Sequence, residues 1–439
     1  MRFSPFVLVM VLVALSSGSM EAFGQPFDSG DTAWVATSTV LVLFMSIPGL
    51  ALFYGGMVRS NAVVSVLLQC FAISCLVTIL WLIVGYSLAY GDSLGIVGDL
   101  SKALYRGVAE DTASDTIPES LFATFQVTFA IITPVLVVGA LVERIRFSAV
   151  LLFTALWSLV VYAPVAHWVW GGGWLSELGV LDYAGGIVVH STAGTAALVA
   201  ALVLGPRHGF PDHVGPPHNM PLTVAGAAML WVGWLGFNGG SALAANADAA
   251  MAMTVTHIAA AAGAFTWLLL EWSLRRKPSA LGAVTGMVAG LATVTPTAGF
   301  VGPAGALVIG VLGGASCLFA SRFLRRALKI DDSLDVAGVH LVGGALGALF
   351  AGVFVSSALG VFSGEENIAI GSQLRVQVIG VVATIIYTAV ATWVILAIVN
   401  AMIRERVPVE AVIEGLDLVS HDEHGYVLSP LEISPPDEP

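Results

Sequence analysis

The chain has 439 residues, of which 57% are hydrophobic and only 10% charged, where soluble domains carry roughly 25% charged residues. Its mean hydropathy is +0.91, and its net charge of −12 offers no basic patch suited to nucleic acid. A soluble globule is excluded, because too little charge is present to cover its surface. The composition is that of an all-α polytopic membrane protein, in which 48 glycines let helices approach closely in lipid.

In chain order, residues 1–24 hold a single basic residue (Arg2), an apolar run from Pro5 to Leu15 and the small residues Ser16 to Ser19. That run is too short to span a bilayer and predicts a signal peptide. A hydrocarbon core of about 30 Å takes about 20 apolar residues per helix. By that measure eleven spans follow, near 31–56, 64–90, 119–142, 147–168, 185–205, 221–240, 249–272, 279–296, 300–321, 335–356 and 375–403. Pro48, Pro134 and Pro164 fall inside these helices, where neighbouring groups re-satisfy the freed backbone. Cys70, Cys75 and Cys317 lie in apolar stretches without disulfide or metal-type spacing and read as packing residues.

Lys and Arg set the orientation. If the first span starts outside, the outer segments hold only Lys102, Arg106 and Arg375, while Arg59, Arg144, Arg207, Arg275, Arg322, Arg404 and their basic neighbours fall inside. The prediction is N-out and C-in, with a membrane domain over 31–403 and a cytoplasmic tail over 404–439.

Two pairs of segments echo each other. Phe53-Tyr54-Gly55-Gly56 ends the first span as Phe237-Asn238-Gly239-Gly240 ends the sixth, and Asp182 through His190 parallels Asp335-Val336-Ala337-Gly338-Val339-His340. Each repeat holds five spans, an odd number, so the copies (about 31–205 and 221–356) are inverted, with a long last helix over 375–403. Inverted repeats place their site near the midplane, between the copies.

Ionisable groups at membrane depth are functional by default, which singles out His190 and His340, each expected mid-span. Two neighbouring imidazoles in an apolar site resist holding two protons, and so suit a relay or a neutral hydrogen-bond ladder. Two core histidines bonded to carbonyls are the alternative. Phe125 and Phe129, spaced i,i+4, share one face of the third span, Trp168 and Trp170 end the fourth, and Trp234, Phe237 and Ser241 belong to the sixth. Aromatic faces attract cations and Ser241 offers an oxygen; an interfacial belt with ordinary packing is the alternative. His208, His213 and His218 share one inner loop at a spacing that does not suit a metal. His257 reads as a packed core residue and His167 as a support for the tryptophans. No metal or cofactor is expected.

The strings Ile47 to Gly56, Gly139 to Ser148, Asp182 to His190, Gly233 to Ser241 and Asp335 to His340 resemble the ammonium transporter (Amt/Mep/Rh) family, and within it bacterial Amt-type channels, collinearly over about 31–426. The resemblance implies an eleven-helix inverted-repeat bundle, a homotrimer with one pore per subunit, in the cell (inner) membrane. It assigns Trp170, Phe129 and Ser241 to an external ammonium site, Phe129 and Phe237 to a stacked gate, and His190 and His340 to the pore. Asp182 would support the recruitment site structurally, Trp234 would line the pore, and Phe125, Gln126, Asn238 and Thr295 are candidates near it. The tail, Glu414-Gly415-Leu416-Asp417 with His421 and Tyr426, resembles the family's regulatory tail, near which PII-type proteins dock, although Asp422 stands where a glycine is expected. The rival readings are a channel for another small neutral solute such as carbon dioxide, an ammonium sensor, and an intramembrane enzyme. The last lacks a nucleophile or metal triad at depth.

Overall fold

The computed structural model describes residues 27–357 and 368–426. The expected signal peptide (1–24) and the last tail residues lie outside that range. Among the described residues eleven helices are long and apolar enough to span: α1 Ser29–Met57, α2 Val63–Tyr90, α3 Glu119–Leu141, α4 Phe147–Glu177, α5 Gly186–Leu204, α6 Met220–Gly240, α7 Ala247–Arg275, α8 Ala280–Thr297, α9 Pro303–Arg326, α10 Ala337–Phe354 and α11 Ile370–Ile403. Two short helices, α12 Val409–Glu414 and α13 Leu416–His421, follow in the tail. With their apolar side chains facing lipid or one another, these segments satisfy their backbone internally, as a bilayer demands. Side-chain caps mark several starts: Asp28 on α1, Asn219 on α6, Asn246 on α7 and Ser279 on α8 each accept from a backbone N–H three residues on.

Three boundaries move by five residues or more from expectation, the first being α4, which runs past 168 through a turn at 170–173 into Trp174–Glu177. α9 continues to Arg326, because the basic residues after the apolar run are good helix formers and favour a helix C-terminus. α11 begins at Ile370, one turn and more ahead of Arg375, whose charge hides the start from hydropathy.

The two halves meet where α5 crosses α10. Both helices open in a π-helical turn, Gly186–Ser191 in α5 and Ala337–Leu341 in α10. π turns re-aim side chains and recur at functional sites. The crossing is tight on both sides. A Cβ on Gly194 would strike the Leu341 backbone, and one on Gly344 would strike the Gly186 carbonyl and His190. Each of these glycines stands four residues after its own histidine. The histidines therefore lie in the opening turns of their helices rather than mid-span. They still meet, because the two opening turns pack on each other, Gly194 against Leu341 and Gly344 against Gly186 and His190.

A charged layer closes the inner end. Arg144 is buried, donating to the carbonyls of Ala140, Gly205 and Asp331. Arg207 grips Asp331 with two hydrogen bonds of 3.0 Å, and Glu143 lies 3.8 Å from both Arg59 and Arg207. Burial lowers the Arg144 pKa to about 10. Burial also opposes ionisation of Asp331, but the hydrogen bonds and charge of Arg207 hold it below the ordinary carboxylate value.

The tail is bound to this layer. The Asp417 carboxylate accepts from the Val64 and Ser65 N–H groups, at 3.1 and 2.8 Å, capping α2. The His421 ring meets Phe147 edge-on, and the Tyr426 hydroxyl bonds His218 at 2.9 Å. Asp422 takes the left-handed conformation (φ 55°) after α13. That conformation is why a glycine is expected there, and aspartate is among the few other residues to adopt it readily. Two expected packing residues prove exposed: Cys75 and His257, the latter beside Trp231 with ring centres 5.2 Å apart.

Candidate functional site

The predicted residues form one line through the bundle. At its outer end a cavity of about 300 Å³ is lined by Gln126, Phe129, Trp170 and Ser241 together with Tyr90, Phe122 and Tyr183. The Phe129 ring stands edge-on to Trp170 at 5.9 Å and to Phe125 at 5.0 Å. It also stacks on Phe237, with ring centres 4.2 Å apart and planes 28° apart. Beyond Phe237 the His190 ring follows at 6.1 Å, nearly parallel, and His190 Nδ1 lies 3.3 Å from His340 Nδ1. Both histidines are buried, and His190 Nε2 has no partner. Trp234 flanks the pair, 5.3 Å from the His190 ring.

The supporting residues divide by contact. Trp234 Nε1 donates to Thr295 Oγ1 at 2.9 Å, fixing the indole beside His190. Asn238 donates to Thr256 at 2.8 Å, and its buried Oδ1 and the Gln126 Oε1 lack partners. Ser241 donates its hydroxyl hydrogen to the Phe237 carbonyl at 2.8 Å, so that its oxygen lone pairs are left for an incoming donor. Trp168 takes no part in the cavity: its Nε1 donates to the Ile96 carbonyl and its ring packs on Tyr387. His167 ties the same outer loops through the Ala89 carbonyl and Ser93.

Asp182 is fully committed. Its Oδ1 accepts from Gly185 and Gly186, its Oδ2 from Ile187 and Val188, at 2.6 to 3.0 Å. Four N–H donors fill the carboxylate and orient the first turn of α5, leaving nothing for a ligand. The Asp182 carbonyl meanwhile accepts from Trp170 Nε1 at 2.8 Å, so one residue holds both the cavity tryptophan and the His190 turn.

The partner of Asp182 in the second repeat is Asp332, not the expected Asp335. Asp182 and Asp332 each stand eight residues before their histidine. Asp332 Oδ2 accepts from the Gly338 N–H, six residues on, as Asp182 Oδ2 accepts from Val188. Asp335 instead turns outward to Arg325 at 2.8 Å. The match of Asp335 to Asp182 by residue type misled; the spacing to the histidine carries the correct signal. Unlike Asp182, Asp332 keeps one buried oxygen without a partner. Burial, then the Asp335 charge, pushes its carboxyl up to about 7.

Comparison with known proteins adds the lineage. The model of the Ammonium Transporter Family matches residues 33–426. The ammonium transporter of Bacillus subtilis is 44% identical over 405 residues, spanning 90% of this chain and 98% of its own. A putative ammonium transporter of Methanothermobacter thermautotrophicus is 45% identical over 407 residues, spanning 92% and 99%. Among solved structures, Saccharomyces cerevisiae Mep2 superposes with a TM-score of 0.80 at 34% identity, over 88% of this chain and 89% of that one. A structure described as a sensor Amt protein gives 0.83 at 29% identity, over 89% and 98%. With likeness of this depth along almost its whole length, the chain belongs to the ammonium transporter family.

Proposed function

We propose that this chain moves ammonium across the cell membrane by gathering the cation in the outer aromatic cavity, where it gives one proton to solvent water, and passing the neutral ammonia between Phe129 and Phe237 to the His190–His340 pair. Family membership supports transport of ammonium by a non-enzymatic, multi-pass membrane protein. The observation that carries the rest is the Phe129–Phe237 stack, closed at 4.2 Å between the cavity and the histidines.

The physical case rests on what each part can do to a cation. Trp170 and Phe129 offer ring faces worth about 0.5–2 kcal/mol to ammonium, and Ser241 offers an acceptor. Neither attraction separates ammonium from potassium, which carries the same charge. The stack does: a bare ion among apolar rings loses several kcal/mol of hydration, while ammonia leaves its charge behind. Potassium has no proton to shed. Past the stack, ammonia is a donor for the unpartnered His190 Nε2. Asp182, committed to four backbone donors, acts by holding Trp170 and the α5 turn in register.

The reading extends to the assembly that the family resemblance implies: a homotrimer with a pore in each subunit and a PII-type protein as its regulator. The tail docked against α2 supports a defined cytoplasmic surface.

The test is uptake of methylammonium into proteoliposomes. His190→Ala, with an unchanged melting temperature in detergent, should lose most selective uptake. Wild-type uptake with potassium still rejected would overturn the role given to the pair.

A further inference from the structure

Among the described residues the long last helix, α11, lines neither the outer cavity nor the stack of rings, yet it sends one fully buried amide into their support. Gln377 Oε1 accepts from the Leu181 N–H at 2.7 Å. Its Nε2 donates to the Leu181 carbonyl at 2.7 Å and to the Ala348 carbonyl of α10 at 2.8 Å. Gln373, one turn earlier, donates to the Gly179 carbonyl at 2.8 Å and to Gln377 Oε1 at 3.3 Å. A primary amide has two donor hydrogens and an acceptor oxygen with two lone pairs, so all four positions on Gln377 are used.

The residue so gripped belongs to an irregular stretch, Val180 to Asp182, with no helix or strand to hold it. Asp182 follows directly, and its carbonyl carries Trp170 Nε1 at 2.8 Å. The four donors on the Asp182 carboxylate all come from the next few residues of α5, so they leave the chain before Asp182 untethered. Gln377 supplies that tether, by both backbone groups of Leu181. The fit leaves the amide little room to shift: a Cβ on Gly380, one turn on, would stand 2.9 Å from Val180, and one on Gly352 of α10 would stand 3.0 Å from Gln377 Cγ.

We propose that Gln377 is a positioning residue of the outer site: by fixing Leu181 it sets the Asp182 carbonyl, and through that carbonyl the Trp170 indole, against Phe129. The proposal rests on the reading of the outer cavity as the place where ammonium gathers. Attraction between a cation and a ring depends on how the ring face is presented, and the indole is aimed by its one hydrogen bond to Asp182. An apolar side chain in place of the amide leaves the Leu181 N–H and two carbonyls unpaired inside the bundle. The stretch must then move to satisfy them, and it carries Trp170 with it. Gln373 reaches only the Gly179 carbonyl and cannot substitute.

The test is methylammonium uptake by proteoliposomes holding equal amounts of folded protein, resolved into half-saturating concentration and maximal rate. Gln377→Leu should raise the half-saturating concentration about fivefold and leave the maximal rate nearly unchanged. Gln377→Glu keeps an acceptor for the Leu181 N–H and should show a smaller rise; it carries the comparison where Gln377→Leu does not fold. Trp170→Ala is the reference. If Gln377 acts through the indole, adding Gln377→Leu to Trp170→Ala should raise the half-saturating concentration no further. A lowered maximal rate at the parental half-saturating concentration, or a full further rise in the double variant, would overturn the proposal. An unchanged half-saturating concentration in Trp170→Ala alone would instead overturn the outer-site reading, and the proposal with it.

Discussion

Asp182 and Asp332 show how one sequence device gives two chemistries. Both are buried acids eight residues ahead of a histidine. Asp182 receives four N–H donors and is saturated, whereas Asp332 keeps an oxygen without a partner and sits near the charge of Asp335. Its carboxyl, at about 7 against an ordinary 3.8, is favoured protonated in the fold. The stability this contributes is fully present below about pH 4 and lost as pH rises through about 7. Asp332→Asn keeps the acceptor and removes the titration. Its melting temperature in detergent should therefore fall less than that of the parent between pH 5 and 8, where the parent loses up to about 1.4 kcal/mol per pH unit. Superimposable pH profiles would remove Asp332 as the titrating group. Which acid mattered was readable only from its distance to the histidine, because Asp331, Asp332 and Asp335 crowd one short segment.

At the scale of elements, the crossing of α5 and α10 decides whether the histidines meet. Gly194 and Gly344 are the positions where backbone touches backbone, and overpacking such a contact costs about 1–3 kcal/mol. Gly194→Ala should lower the melting temperature by several degrees and reduce ammonium-specific currents, since the two rings are carried by the helices that must part. Unchanged currents in proteoliposomes would show that the crossing tolerates separation. The spans themselves were legible, because hydropathy and the Lys/Arg alternation record where lipid lies. The crossing was not. Forty-eight glycines populate the chain, and nothing local distinguishes the two at this crossing from those at other helix contacts or at helix ends. Nor did any local pattern show that α5 and α10 open in π turns, or that His257 faces outward.

Taken whole, the molecule is asymmetric about the membrane: an aromatic cavity at one end, a layer of paired charges and a bound tail at the other. Motifs made the aromatic end readable, because its residues cluster at helical spacing. The inner layer joins Arg59, Glu143, Arg144, Arg207 and Asp331 from distant segments, and only the fold brings them together. The tail depends on Asp417 at the start of α2, a contact worth about 1 kcal/mol. Asp417→Ala should raise amide hydrogen exchange across Val409–His421 about fivefold while leaving exchange in α5 and α10 unchanged. Equal exchange in parent and variant would show that the tail is held by other contacts.

One contact joins the two halves at their centre. The closest atoms of the two imidazoles are both Nδ1, 3.3 Å apart. A hydrogen bond between neutral rings that face each other through like nitrogens needs one donor and one acceptor, and so unlike tautomers, one protonated at Nδ1 and the other at Nε2. In such a bond the tautomer of one ring fixes that of the other.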